Sequence, residues 1–400
     1  MGWFPKQGAR SRWPITAKVL RVGSKGARVK ALQSLLADLG LYHQDPDGVF
    51  GYLTEDAVQA LQRRFGLRVD GIAGPMVHRL LHHPITSQGL DFHWLLGSLP
   101  EPEPRLYPLD FGEEKALTAL TYRWWPLDGE NSGPRAPSEL VTKVAEAYGA
   151  RLLPTIGLPS PLAQEEDSQA NLVEALAQRE TYPRLRRAIA DQCKRDDICG
   201  FLLRIGQVPP ALNSRVIRLL RFAAGEAHKH KKLLFLVAPH WSQPRKGAWG
   251  LDWQGLGELV HYIVLEVPPP ESPASLLSLE ELTGALQRWL RVVPAWQLIQ
   301  HLPMGGILGG GQRVSYNEVR TLAYRSQAMV TRDPIHHSLT FSYREGEELV
   351  EAWYENNETI KGKLAVIRRA KLAGIYLSPL GYEANGIWPL LKEEMSIGQY

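Results

Sequence analysis

Between Asp197 and Glu226 the chain contains no aspartate or glutamate. The apolar run from Ile198 to Pro210, which reads as a strand buried on both faces and closed by a double proline, therefore presents no carboxylate to anything bound against it. Only two cysteines occur, Cys193 and Cys199, too few for a disulfide framework or a thiolate metal cluster. They read as unpaired residues at a helix end and in a strand, with a local disulfide as the alternative. No apolar run is long enough to span a membrane. The first 18 residues carry Pro5, Lys6, Arg10, Arg12 and Pro14 and lack the apolar centre of a secretory signal. A dense Lys/Arg stripe is missing too: the net charge of +4 is mildly basic, which suits an anionic polymer and gives no case for nucleic acid.

What is present divides in two. With 400 residues, 44% of them hydrophobic, the chain is long enough for a large domain and a small one. From Leu20 to Leu81, apolar residues recur at helical spacing (Val29, Leu32, Leu36, Leu39, then Ala57, Val58, Leu61, Phe65), separated by the glycine turns Asp47-Gly48 and Asp70-Gly71. Thr54 stands where a helix N-cap is expected. Three short helices are predicted, after a tail over 1–18.

The ordered series Leu32-Gln33, Leu39-Gly40, Asp47-Gly48, Phe50-Gly51, Thr54, Ala57-Val58, Gln62, Gly66-Leu67, Val69-Asp70-Gly71 and Gly74-Pro75 closely resembles the peptidoglycan-binding module of bacterial wall hydrolases and spore proteins. The resemblance places that module at 19–83 and implies a wall-glycan ligand. Most of these positions are structural by nature: glycines for positive backbone angles, a capping threonine, apolar packing. A small bundle serving only as spacer or docking unit is the competing reading.

A proline-stiffened linker and barrel entry follow over 84–104. His82-His83 reads as a solvated helix end, because no third ligand stands at metal spacing. Beyond Gly89, apolar strands alternate with amphipathic helices. The strands are expected at Leu90–Leu96, Ala116–Trp124, Arg151–Gly157, Gly200–Val208, Lys232–Pro239, His261–Val267, Leu302–Leu308 and Gly374–Leu380. Eight strands with helices between them predict a (β/α)8 barrel over 105–400 with its site at the C-terminal strand ends. An open doubly wound sheet is the structural alternative. Gly309-Gly310-Gly311 lacks the lysine and the strand-to-helix setting of a phosphate loop. Ser338–Tyr343 and Glu348–Trp353 predict a hairpin inside an insertion at about 330–356.

That hairpin, with Ser315-Tyr316-Asn317-Glu318, Tyr354-Glu355, Lys361 and the run Gly374 to Tyr382, resembles the C-terminal part of glycoside hydrolase family 18, in its spore-associated branch. The resemblance implies an (α/β) barrel acting on β-linked N-acetylglucosamine polymers, and a location in the cell wall or on the spore surface reached without a recognisable signal peptide, a cytoplasmic location being the other option. It also implies a catalytic glutamate near the end of the fourth strand, with an aspartate two residues earlier that orients the acetamido group. In this chain the glutamate position falls at Gly206 and the aspartate position at Arg204, with Leu202 and Cys199 at the earlier motif positions. A guanidinium there repels the positive charge that develops on the sugar. On the sixth strand the family's Met, Tyr and acid are replaced by Glu266, Pro268 and Pro269.

Arg204 and Glu266 are expected to form an ion pair that plugs the mouth. Glu266 as a replacement acid is the alternative, although a carboxyl beside a guanidinium favours its ionised form. Ligand contacts are sought at Trp124, Trp125, His240, Trp241, Glu266, Tyr382 and Glu383, where flat aromatic faces can stack on sugars; the competing account makes the tryptophans packing residues. Asp252 reads as a helix cap. No cofactor, metal or membrane span is implied. The expected function is binding of peptidoglycan or a related N-acetylglucosamine glycan without cleavage, with other spore-surface proteins as further partners. An active glycosidase and a purely structural coat component are the alternatives.

Overall fold

The computed structural model describes residues 19–81, 85–86, 89–90, 94–100, 117–126, 133–157, 181–204, 213–240, 252–267, 277–334 and 336–395. Three helices, Ala27–Asp38, Tyr52–Arg64 and Pro75–Leu81, build the N-terminal unit around Val29, Leu32, Leu36, Phe50, Val58, Leu61 and Leu80. Two turns join them, and each uses a glycine at positive φ, Gly48 at 77° and Gly71 at 70°. Thr54 is not the cap of the second helix. Gly51 holds that position, and the Thr54 hydroxyl instead accepts a hydrogen bond from Gln33 at 3.0 Å.

The larger unit is a closed parallel barrel, with strands in the order Trp94–Ser98, Ala119–Pro126, Arg151–Gly157, Gly200–Arg204, Leu233–Pro239, Tyr262–Glu266, Leu298–Pro303 and Gly374–Ser378. Ring closure pairs Gly374 with Trp94. The apolar runs are continuous because both strand faces are buried. Leu96, Ala119, Leu202, Val237, Val264, Ile299 and Tyr376 fill the interior, whereas Leu120, Phe201, Leu203, Leu236, Leu265 and Leu377 pack beneath the surrounding helices.

The first and seventh strands start four residues from where the sequence predicts them, and the second runs Ala119–Pro126 in place of Ala116–Trp124. The seventh lies at Leu298–Pro303, not Leu302–Leu308: Gln297, Gln300 and His301 are fully buried, so polar residues hid its start, and Gly305 at φ 84° breaks the run after it. The first is Trp94–Ser98, so the barrel begins inside the segment expected to be linker and entry. Of the fourth, the structure describes Gly200–Arg204; the expected continuation to Val208 lies outside the described residues, as do His82 and His83.

The hairpin forms at Leu339–Glu345 and Glu348–Tyr354 and belongs to a wider insertion. Its five-stranded sheet runs Arg313–Val314, Gly306–Leu308, Glu348–Tyr354, Leu339–Glu345, Thr331–Arg332. The insertion therefore starts near Gly306, well before residue 330. A buried ion pair ties it to the barrel: the Glu355 carboxylate accepts from Lys363, on helix Asn357–Arg369, and from the Ser338 hydroxyl at 3.0 Å. The two units also meet, because Trp296, just before the seventh barrel strand, completes the hydrophobic core of the three-helix unit. Among the described residues no helix is long and apolar enough to cross a membrane.

Candidate active site at the barrel mouth

Parallel strands bring their C-terminal residues to one end of the barrel, and that end is where the fold collects chemistry. Arg204 closes the fourth strand and Glu266 the sixth. Their side chains meet across the mouth as the sequence predicts: Arg204 Nε donates to Glu266 Oε2 at 3.0 Å and Nη2 donates to Oε1 at 2.6 Å. Both residues are buried, at 6% and 5% exposure, so the bidentate pair is shielded from water and salt. Gly157, at the end of the third strand, lets the backbone of Arg204 pair closely with it. It has φ 121°, and a Cβ there would lie 2.0 Å from the Arg204 carbonyl oxygen; no other residue fits.

His240 and His301 lie beside the pair. The His240 backbone N–H donates to the Glu266 carbonyl at 2.9 Å, and burial pushes its ring pKa from 6.5 down to about 4. His301 is wholly buried on the seventh strand, its Nδ1 accepting from the Val267 N–H at 3.1 Å. That bond places the ring proton on Nε2, and Nε2 is buried without a hydrogen-bond partner. Burial holds the His301 pKa well below its ordinary value, and the Arg313, Arg204 and His240 charges lower it further. Neither histidine is poised to carry a proton at neutral pH.

The other sequence-predicted contacts fare differently. Trp124 and Trp125 are not ligand residues: both are buried beneath the helices, their rings 5.8 Å apart. A β-bulge between Arg123 and Trp125 turns two consecutive side chains to the same outer face. The His240 side chain is likewise enclosed. Glu383 serves its own loop, accepting from the Gly381 N–H at 2.5 Å and from Trp388 Nε1 at 3.1 Å. Tyr382 is half-buried beside Gly305, its hydroxyl pKa raised by burial and by Glu318. Asp252 occupies the N-cap position of the short helix Trp253–Gly257 without a side-chain cap bond. Gly206 and Trp241 lie outside the described residues. Arg313 and His301 escaped the sequence reading. No motif marks either, and only the folded insertion brings Arg313 to the mouth. Cys193 and Cys199 are free thiols, buried and with pKa values pushed up to about 12. Among the described residues no cluster of His, Cys, Asp and Glu could hold a metal.

In the helical unit the buried glutamines Gln33 and Gln62 and the exposed aspartates Asp47 and Asp70 work as two copies of one device. Gln33 donates to Asp47 at 2.8 Å and accepts from the Gly48 N–H at 2.8 Å; Gln62 donates to Asp70 at 2.8 Å and accepts from the Gly71 N–H at 2.9 Å. Each glutamine clamps an Asp-Gly turn, and Phe50 is core. Val49, Tyr52 and Leu53, beside the first turn, are apolar side chains left facing solvent there, at 41%, 76% and 61% exposure.

Residues 25–81 match the family described as putative peptidoglycan binding domain. The spore cortex-lytic enzyme of Halalkalibacterium halodurans is 43% identical over 58 residues, 14% of this chain and 18% of that one. An uncharacterized glycosylase, YvbX, of Bacillus subtilis is 22% identical over 209 residues, covering 50% of this chain and 57% of its own. The chain thus spans less than two thirds of the length of these curated relatives. Among solved structures, the spore cortex-lytic enzyme SleL of Bacillus megaterium superimposes with a TM-score of 0.64 at 18% identity, over 96% of this chain and 87% of that one. The chain therefore joins an N-terminal unit that matches the putative peptidoglycan binding domain family to a closed eight-stranded parallel barrel, the fold also seen in the cortex-lytic enzyme SleL and in the family GH18 chitinase of Cycas revoluta.

Proposed function

We propose that this protein binds peptidoglycan of the bacterial wall or spore cortex and does not cleave it, its barrel acting as a degenerate glycosidase that retains a glycan-facing mouth. The observation that carries the reading is the Arg204–Glu266 pair. Both oxygens of Glu266 are taken by guanidinium N–H groups, so this carboxylate has none to offer to a leaving glycosidic oxygen. Hydrolysis with retention or inversion needs two carboxyl groups about 5 to 9.5 Å apart, or one acid assisted by the substrate's acetamido group. Among the described residues the other buried acid is Glu355, which is bound to Lys363 in the insertion. The fourth strand contributes an arginine where the fold's catalytic chemistry calls for negative charge.

The match of 25–81 to a peptidoglycan-binding family, with cortex-lytic enzymes among the relatives, supports a wall or spore-surface location and a ligand containing N-acetylglucosamine. Spore-surface proteins as further partners belong to the same proposal.

The test incubates the full-length protein with insoluble peptidoglycan and follows both sedimentation and released muropeptides. Sedimentation without release is expected. Release that E266Q abolishes would establish the rival, an active glycosidase with Glu266 as its acid. Failure to sediment at all would leave a structural coat role.

A further inference from the structure

The mouth contains a second cation, Arg313, to which the described residues supply no bound counter-charge. Arg313 lies on the short strand Arg313–Val314, paired with Ile307 on Gly306–Leu308. Side chains alternate across a strand. Val314 and Leu308 enter the apolar core of the insertion, so Arg313 and Ile307 face the opposite side, toward the barrel. Tyr382 packs against this sheet at Gly305, and the Arg313 charge is felt by both Tyr382 and His301. Both terminal nitrogens, Nη1 and Nη2, are shut off from solvent and have no hydrogen-bond partner among the described residues, and the same holds for His301 Nε2–H.

A buried, unpaired guanidinium is among the least favourable arrangements in a folded protein. Burial lowers its pKa to about 10, so it remains charged at neutral pH. Glu266, the nearby carboxylate on the sixth strand, is already bound by Arg204. The vacant donors have a definite chemistry: a planar fork of N–H groups that matches the two oxygens of a carboxylate.

We propose that Arg313 anchors a carboxylate-binding subsite at the barrel mouth. Resting on the wall-glycan reading above, the subsite takes the acidic group of peptidoglycan, either the lactyl carboxylate of muramic acid or the free carboxylate of a stem peptide. It thereby separates peptidoglycan from a neutral N-acetylglucosamine polymer.

Binding to the full-length protein would be measured by calorimetry with N-acetylglucosamine, N-acetylmuramic acid, muramyl dipeptide and D-lactate, for wild type, R313Q and R313K. The expected result is that an acidic sugar binds wild type at least tenfold more tightly than N-acetylglucosamine. R313Q removes that difference, and R313K, which keeps the charge and loses the fork, retains part of it. Preference for N-acetylmuramic acid names the lactyl group, and preference for muramyl dipeptide names the peptide carboxylate. Equal binding of acidic and neutral sugars by wild type, or an acid preference that survives R313Q, overturns the subsite. Arg313-dependent binding of D-lactate with no sugar binding upholds the subsite and removes its wall-glycan assignment. Should R313Q fail to fold, R313K and the comparison of ligands on wild type still decide.

Discussion

At the mouth of the barrel two residues decide the chemistry. Arg204 and Glu266 are buried and bidentate, so removing either one strands the other charge. R204M or E266Q alone is expected to lower stability by about 3–5 kcal/mol, whereas the double replacement R204M/E266M, which leaves no charge behind, should lie within about 1–2 kcal/mol of wild type; urea unfolding of the three variants checks this. His240 gives a second prediction at this scale. The fold keeps its imidazole neutral down to about pH 4 against 6.5 for the free group, so between these values the unfolded chain binds more protons and stability falls as pH drops. The loss attributable to His240 is about 3 kcal/mol, complete near pH 4, and His301, held by burial well below its ordinary value, adds to it. Unfolding midpoints at pH 7 and pH 4.5 should differ accordingly, and H240N should narrow the gap. The Arg204–Glu266 contact was legible in the sequence because a barrel turns the last inward residues of the fourth and sixth strands toward each other. Arg313 was not, since its position depends on the register of a two-residue strand in an insertion that no periodicity reveals.

Among the elements, the repeated glutamine clamp sets the shape of the helical unit. Gln33 and Gln62 are buried helix residues that satisfy the backbone and carboxylate of the Asp-Gly turns. Q33A or Q62A leaves the buried Gly48 or Gly71 N–H without its partner, at about 1–3 kcal/mol each, measurable as thermal destabilisation of the full chain. Helical spacing and Asp-Gly turns made all three helices readable. What the pattern concealed was how Thr54 is used: a threonine near a helix start reads as a cap, yet it is drawn inward as an acceptor for Gln33. The seventh barrel strand was missed for the converse reason, since strand propensity is judged by apolar residues and this strand begins beside buried glutamines held by backbone carbonyls, Gln297 to Gly257 at 3.0 Å and Gln300 to His301 at 2.8 Å. The tryptophan pair illustrates a third failure. Strict alternation sends one of two neighbours to each face, and only the bulge at Arg123 reveals that both turn outward.

For the molecule as a whole, the strand-helix alternation was enough to foresee a closed barrel, because both-face burial produces long apolar runs that few other folds require. The contact between the two units was not foreseeable, since a lone tryptophan ahead of a strand carries no partner label. Trp296 lies in the core of the three-helix unit while belonging to the barrel chain. W296A is expected to cost about 3–5 kcal/mol and to split a shared calorimetric transition into two, the smaller unit melting first; a single unshifted transition would refute the coupling. Trp296 precedes the start of the seventh strand, at the floor of the barrel, and Arg204, Glu266 and Arg313 belong to its opposite pole. Held from beneath, the barrel turns its opening away from its own foothold, so on the function proposed above a polymer strand bound by the three-helix unit and one received by the opening would lie on opposite sides of the protein, spaced by the full height of the barrel.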